Sequence, residues 1–219
     1  MGALLLAVAP LQARDEQAPP TISGPVYYGE PVGATRIAEV AIRLVYAENP
    51  AFMRLRALGL SESDGGRGQA LFDAAQSAAK RALARVASAH NLQVIAELGS
   101  VQGASNLMDR TREVIDELPQ FYVEGKVLHG NARNARELAE VDSLAVLMAI
   151  PSFVEAQGLD ESNARFHILQ KDYQDRFAAA MRKIARDSGL DSIVEKGAAT
   201  SRFGAILDVT QQAIQSLGE

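Results

Sequence analysis

The chain has 219 residues, 47% hydrophobic and 22% charged, with a formal net charge of −5. This balance fits one or two folded domains and lacks the basic excess of a nucleic-acid binder or of a protein drawn to an anionic membrane surface. Cysteine and tryptophan are absent, and the three histidines, His90, His129 and His167, lie far apart. A disulfide framework, a cysteine nucleophile, thiolate metal sites and HExxH-type zinc spacing are thereby removed.

Residues 4–8 form an apolar run too short to span a bilayer. The run ends near Leu11-Gln12-Ala13 and turns charged at Arg14-Asp15-Glu16. Residues 1–13 therefore read as a secretory signal without its basic n-region. A frayed apolar terminus is the competing reading. Residues 14–34, polar and proline-rich at their start, read as a flexible leader. Within them Tyr27 and Tyr28, between Pro25 and Gly29, suit an edge strand, an exposed recognition segment or burial against the adjoining folded unit. No later stretch is apolar enough to cross a membrane.

The remainder repeats. "IAEVAIRLVYAENPAF" from Ile37 pairs with "LAEVDSLAVLMAIPSF" from Leu138. "IAELGSVQGASNLMDRTREVIDEL" from Ile95 pairs with "IVEKGAATSRFGAILDVTQQAIQSL" from Ile193. Landmarks keep their order, as in a duplication: unit one at 35–119, a connector at 120–135 and unit two at 136–219. Units of about 85 residues are small for independent cores, so a shared core is expected.

Each unit opens with a strand at Val40 or Val141. Asp142 suits a helix N-cap; Ala41 in unit one does not. A short helix follows, punctuated by Pro50 or Pro151. "DGGRG" at 64–68 lacks the spacing and lysine of a phosphate loop and reads as a loop entering the next element. That element is a long helix. In unit one it covers 70–87 and is rich in alanine. In unit two Phe166, Leu169, Tyr173, Phe177, Ala180, Met181 and Ile184 make a wide apolar stripe. A turn at His90-Asn91 or Ser188-Gly189 leads to a strand, 92–98 or 190–196. A glycine turn and a second short strand follow, 100–104 or 198–202. The unit closes with a helix begun by Asp109-x-Thr111 or Asp208-x-Thr210, whose side chains can meet free amides. "HGNARNARE" at 129–137 is locally basic and reads as a solvated linker or helix start rather than an anion site. The equivalent carboxylates Glu97 and Glu195, and Asp109 and Asp208, do not by their spacing form an acid–base pair.

The segment Val141-Asp142 through Val146-Leu147 to Pro151 resembles the opening strand and helix of the Skp/OmpH family of periplasmic chaperones. "VEKGAA…LDVTQQAIQSL", from Val194, is similar to that family's closing strand pair and helix. Unit one keeps the spacing with weaker identity. The resemblance implies an α+β protein of two tandem units, each strand–helix–long helix–strand pair–helix. It implies a periplasmic, non-enzymatic holdase without cofactor, metal or catalytic residues, whose partners are unfolded outer-membrane proteins. Family members are trimers with long helical arms, so a homo-oligomer is open here. Phe166, Leu169, Tyr173 and Phe177 are the candidate client-binding residues, with core packing as their competing role. The chain departs from the family in its duplication, its acidity and its arms, which reach roughly 30 Å at most at 1.5 Å per helical residue. An envelope structural or assembly module without holdase activity is the alternative. An exported enzyme or small-ligand binder would need a polar cluster between the units.

Overall fold

The computed structural model describes residues 20–218, the side chain of residue 134 excepted; the expected signal and the first part of the leader lie outside them. The described chain is mixed α+β and runs through one succession of elements twice. The first pass is β1 (Thr21–Ile22), β2 (Val26–Gly29), β3 (Ile37–Val40), α1 (Ile42–Ala47), α2 (Pro50–Ala57), α3 (Gly66–Ala89), β4 (Val94–Glu97), β5 (Val101–Gln102), β6 (Met108–Asp109) and α4 (Thr111–Asp116). The second is β7 (Phe121–Val123), β8 (Val127–Gly130), β9 (Leu138–Val141), α5 (Ser143–Met148), α6 (Pro151–Ala156), α7 (Ala164–Asp187), β10 (Ser192–Glu195), β11 (Ala199–Ser201), β12 (Leu207–Asp208) and α8 (Thr210–Ser216).

The sheets repeat too. In the first half the order is β2-β4-β3-β6, in the second β8-β10-β9-β12. Each has two central parallel strands, an antiparallel edge strand on one side and a two-residue parallel strand on the other. The central strands carry Ile, Val and Ala on both faces, as parallel strands covered on both sides do. Along β4, Ile95 points into the helical core with Val45, Ala82 and Val114. Its neighbours Val94 and Ala96 point to the opposite face, against Ile22, Val26 and Val101. That second face is closed by a ribbon, β1 paired with β5, and its counterpart is β7 paired with β11. Each half is thus three-layered: helices, sheet and ribbon.

Three expectations change. The leader is not unstructured through residue 34, since β1 and β2 lie in it, and of the readings of Tyr27-Tyr28 the edge strand is the one found. The connector at 120–135 carries β7 and β8. Neither pair showed a hydrophobic period because each strand is short, and β2 and β8 both contain a register shift, at Tyr27 and Leu128. These two residues pack into equivalent cores. The halves also do not share a core: none of the four hydrophobic clusters of the described residues mixes them. The ribbon supplies the missing cover within each half.

The closing helices differ from expectation in detail. The residues at the caps of α4 and α8 are Arg110 and Val209, with no side-chain cap. Asp109 Oδ1 accepts instead from the Thr111 amide at 2.8 Å and hydroxyl at 2.5 Å. The Thr111 hydroxyl in turn accepts from the Ala41 amide at 2.8 Å. In the second half Asp208 holds Thr210 at 2.9 and 2.5 Å, and Thr210 accepts from the Asp142 amide at 2.9 Å. The motif ties the end of each half to the exit of its first central strand. Asp142 also caps α5 through the Ala145 amide at 3.0 Å.

Replacing Thr111 or Thr210 by valine keeps the shape but leaves a part-buried amide and a carboxylate short of a partner. Each change should cost about 1–3 kcal/mol in urea unfolding of the full chain. A Gly130→Ala variant should be similarly damaging: φ is +73° and a Cβ would stand 2.0 Å from the Asp191 carbonyl oxygen.

Candidate functional site

The candidate client-binding residues sit on α7, which packs against α6. Phe166, Leu169, Tyr173 and Phe177 are each half-buried. Tyr173 meets Phe153 of α6 edge-on, with ring centroids 5.1 Å apart. Phe177 packs against the helical core of the second half. Phe166 lies against the ring of His167 at 5.6 Å. The stripe therefore divides: Phe177 packs on the core and Tyr173 on α6, while Phe166 and Leu169 lie half-buried nearer the start of α7. Beside them Ile168 is 70% and Val154 47% exposed.

The first half treats the same positions differently. Both long helices have 24 residues, so aligning their starts places Leu71, Ala75 and Ala79 opposite Leu169, Tyr173 and Phe177. Those three are 0–2% exposed. Alanine lets α2 approach α3 closely, and the buried Asn49 at the head of α2 donates to the Ala75 carbonyl at 3.0 Å. "DGGRG" contributes to this hairpin, with Gly66, Arg67 and Gly68 inside the first turn of α3.

Half one's hairpin is also covered. Helix α2 rests on the ribbon β7–β11 of the second half. Arg54 donates to the Gly197 carbonyl at 2.9 Å. Arg67 grips Glu124 with two bonds of 2.6 Å, and the Arg54 guanidinium stands 3.7 Å from the same carboxylate. The Arg67 bond, then the charges of Arg67 and Arg54, hold the Glu124 carboxyl below its ordinary value despite partial burial. Arg202 closes the joint from the other side, donating to the Leu118 carbonyl at 3.3 Å. Next to this joint, α3 with Ala132, Arg133, Ala135 and Arg136 borders a cleft of about 780 Å³.

The equivalent carboxylates are all engaged within their own halves. Glu97 accepts from the Tyr27 hydroxyl at 2.5 Å; burial and this bond push the Tyr27 phenol up to about 12. Glu195 accepts from the Ser143 amide at 3.1 Å. Lys196 pairs with Asp208 at 2.7 Å, and with the Thr210 bonds holds that carboxyl down at about 2. Sequence reasoning missed two glutamates altogether. Glu39, 6% exposed, accepts from the Val101 amide at 2.9 Å, and its counterpart Glu140 accepts from the Gly197 amide at 3.0 Å. Their signal was the repeated Ala-Glu-Val of the two opening strands. The histidines stand apart: His90 pairs with Glu113 at 2.5 Å, and the His129 carbonyl accepts from Ser192 at 2.9 Å. Among the described residues no cluster of three metal-ligating side chains occurs, and no helix is long and apolar enough to cross a membrane.

Comparison of the chain with protein-family models, with curated proteins and with solved structures returned no match.

The joint yields a pH-dependent expectation. The folded-state value of Glu124 lies below the ordinary 4.5, so its contribution is present above that value and is lost as pH falls below it. A Glu124→Gln variant should be less stable than the parent by about 1 kcal/mol at pH 7, allowing for solvent screening. The difference should shrink on acidification, read by urea unfolding at pH 7 and at pH 3.

Proposed function

We propose that this chain is a non-enzymatic periplasmic protein built from two tandem Skp/OmpH-like units, which holds exposed apolar segments of unfolded outer-membrane proteins. The observation that carries the reading is the open hairpin of α6 and α7. It presents Phe166, Leu169 and Tyr173 half-buried, with Ile168 and Val154 outward. Apolar side chains on a hairpin that packs only with elements of its own half, without the other half's ribbon over it, suit transient burial of a client's apolar segment. The order of elements in each half supports the family resemblance: strand, short helices, long helix, strand pair, closing helix. The export expectation rests on the apolar N-terminal run.

One observation favours the alternative, an envelope structural or assembly module. The hairpin of α2 and α3 is occupied by the chain's own ribbon, leaving one hairpin of the two free. At 24 residues, α7 is only about 36 Å long.

The test is dilution of an unfolded outer-membrane protein from urea into buffer with the full chain. Light scattering should fall at stoichiometric amounts, and a complex of defined mass should form. A Phe166→Ser/Tyr173→Ser double variant that melts normally should lose most of the effect. Unchanged scattering with folded protein present would leave the assembly-module reading in its place.

A further inference from the structure

Residues present in both halves at equivalent positions serve the shared fold; residues that appear only where the halves meet need another reason. The cleft of about 780 Å³ beside the joint is lined by Arg81 and Arg85 of α3, by Arg133 and Arg136, and by Asp116 and Glu117 at the end of α4. Both carboxylates are already paired, Glu117 with Arg85 at 3.3 Å and Asp116 with Arg112 at 3.2 Å. Arg136 lies near Asp191, whose carboxylate accepts from the amides of Arg136 and Glu137 at 2.8 and 3.1 Å. Arg81 and Arg133 form no ion pair among the described residues, and both are exposed. They stand at a junction, since both also line a second cavity of about 540 Å³ that runs under α2.

The duplication supplies a control inside the molecule. The connections β2–β3 and β8–β9 are equally long, as are α3 and α7. The positions matching Arg81, Arg85, Arg133 and Arg136 are therefore Ala179, Lys183, Val32 and Thr35. The fold does not require arginine at any of them; Val32 is 93% exposed. In a chain of net charge −5, guanidiniums gathered from both halves around one concavity, two of them without a carboxylate, make a local positive field.

We propose that this cleft binds a small multivalent oxyanion, a phosphate-rich ligand held by Arg81 and Arg133 with Arg136 beside them. Guanidinium presents a planar fork of donors that matches phosphate oxygens two at a time. A cavity of this volume accommodates a ligand of nucleotide or sugar-phosphate size. The sequence alone set residues 129–137 aside as a solvated linker or helix start; folding sets α3 on the same cleft and adds Arg81 and Arg85 to the segment's own Arg133 and Arg136. The phosphate can come free in solution or on a lipid headgroup, and the site does not depend on the client-holding reading.

The experiment is calorimetric titration of the full chain with inorganic tripolyphosphate, beside flotation with phosphatidylcholine vesicles with and without phosphatidylglycerol. The expected result is saturable tripolyphosphate binding, one per chain, weakened in high salt. Affinity should fall at least tenfold in an Arg81→Ala/Arg133→Ala double variant and stay unchanged in Arg182→Ala, an exposed arginine elsewhere on α7. Melting curves of both variants should match the parent. Binding only to phosphatidylglycerol vesicles, lost in the same double variant, assigns the site to lipid phosphate. Absence of binding in both arms, or binding that the double variant leaves intact, overturns the proposal.

Discussion

The threonine hydroxyl of the Asp-x-Thr motif is the contact on which each half depends. It donates to the aspartate two residues earlier and accepts from the amide that comes after the first central strand. That amide lies where the chain leaves the sheet for its helical excursion, and no sheet neighbour satisfies it. An amide left unpartnered there would cost more than a typical hydrogen bond contributes. By joining points about 70 residues apart, the hydroxyl fixes the closing helix against the core and seats the short parallel edge strand. The chain carries the motif twice because it builds the same closure twice.

Around that closure the halves have diverged in one direction. The first half filled its hairpin with alanine, drew α2 onto α3 and accepted the second half's ribbon as a lid. The second half carries aromatic residues in the same hairpin, and among the described residues no ribbon of the first half lies on it. The joint rests on arginines of the first half gripping a carboxylate and a carbonyl of the second. It is a polar contact between two finished cores, and this explains why the cores stay separate.

Much of the fold was legible from the residues. The duplication, the long helices, the strand before each glycine turn and the Asp142 cap all come from spacing and local propensity, because each depends on near neighbours. The ribbon strands β5 and β11 were legible as short strands after the glycine turn, and β2 as one reading of Tyr27-Tyr28, but β1, β7, β8 and all the ribbon and edge pairings were not. Val26 to Gly29 and Val127 to Gly130 are short, bulged and partly exposed, so no period survives in them, and their pairing partners lie more than 60 residues away. The candidate stripe was visible as a helical period, but whether it faces core or solvent depends on what covers the hairpin, which is a tertiary matter. The arginine cleft was invisible for the same reason. Arg81 and Arg133 are 52 positions apart by number, and each alone reads as a solvated charge.

The latch stands at the centre of each half, and native-state hydrogen exchange on the full chain tests this most directly. If the threonine hydroxyls close the halves, the amides of Ala41 and Asp142 should belong to the slowest-exchanging class, opening only with the unfolding of their own half. Exchange of either amide at the rate of the exposed loops, while the central strands remain protected, would contradict a closing role for the latch.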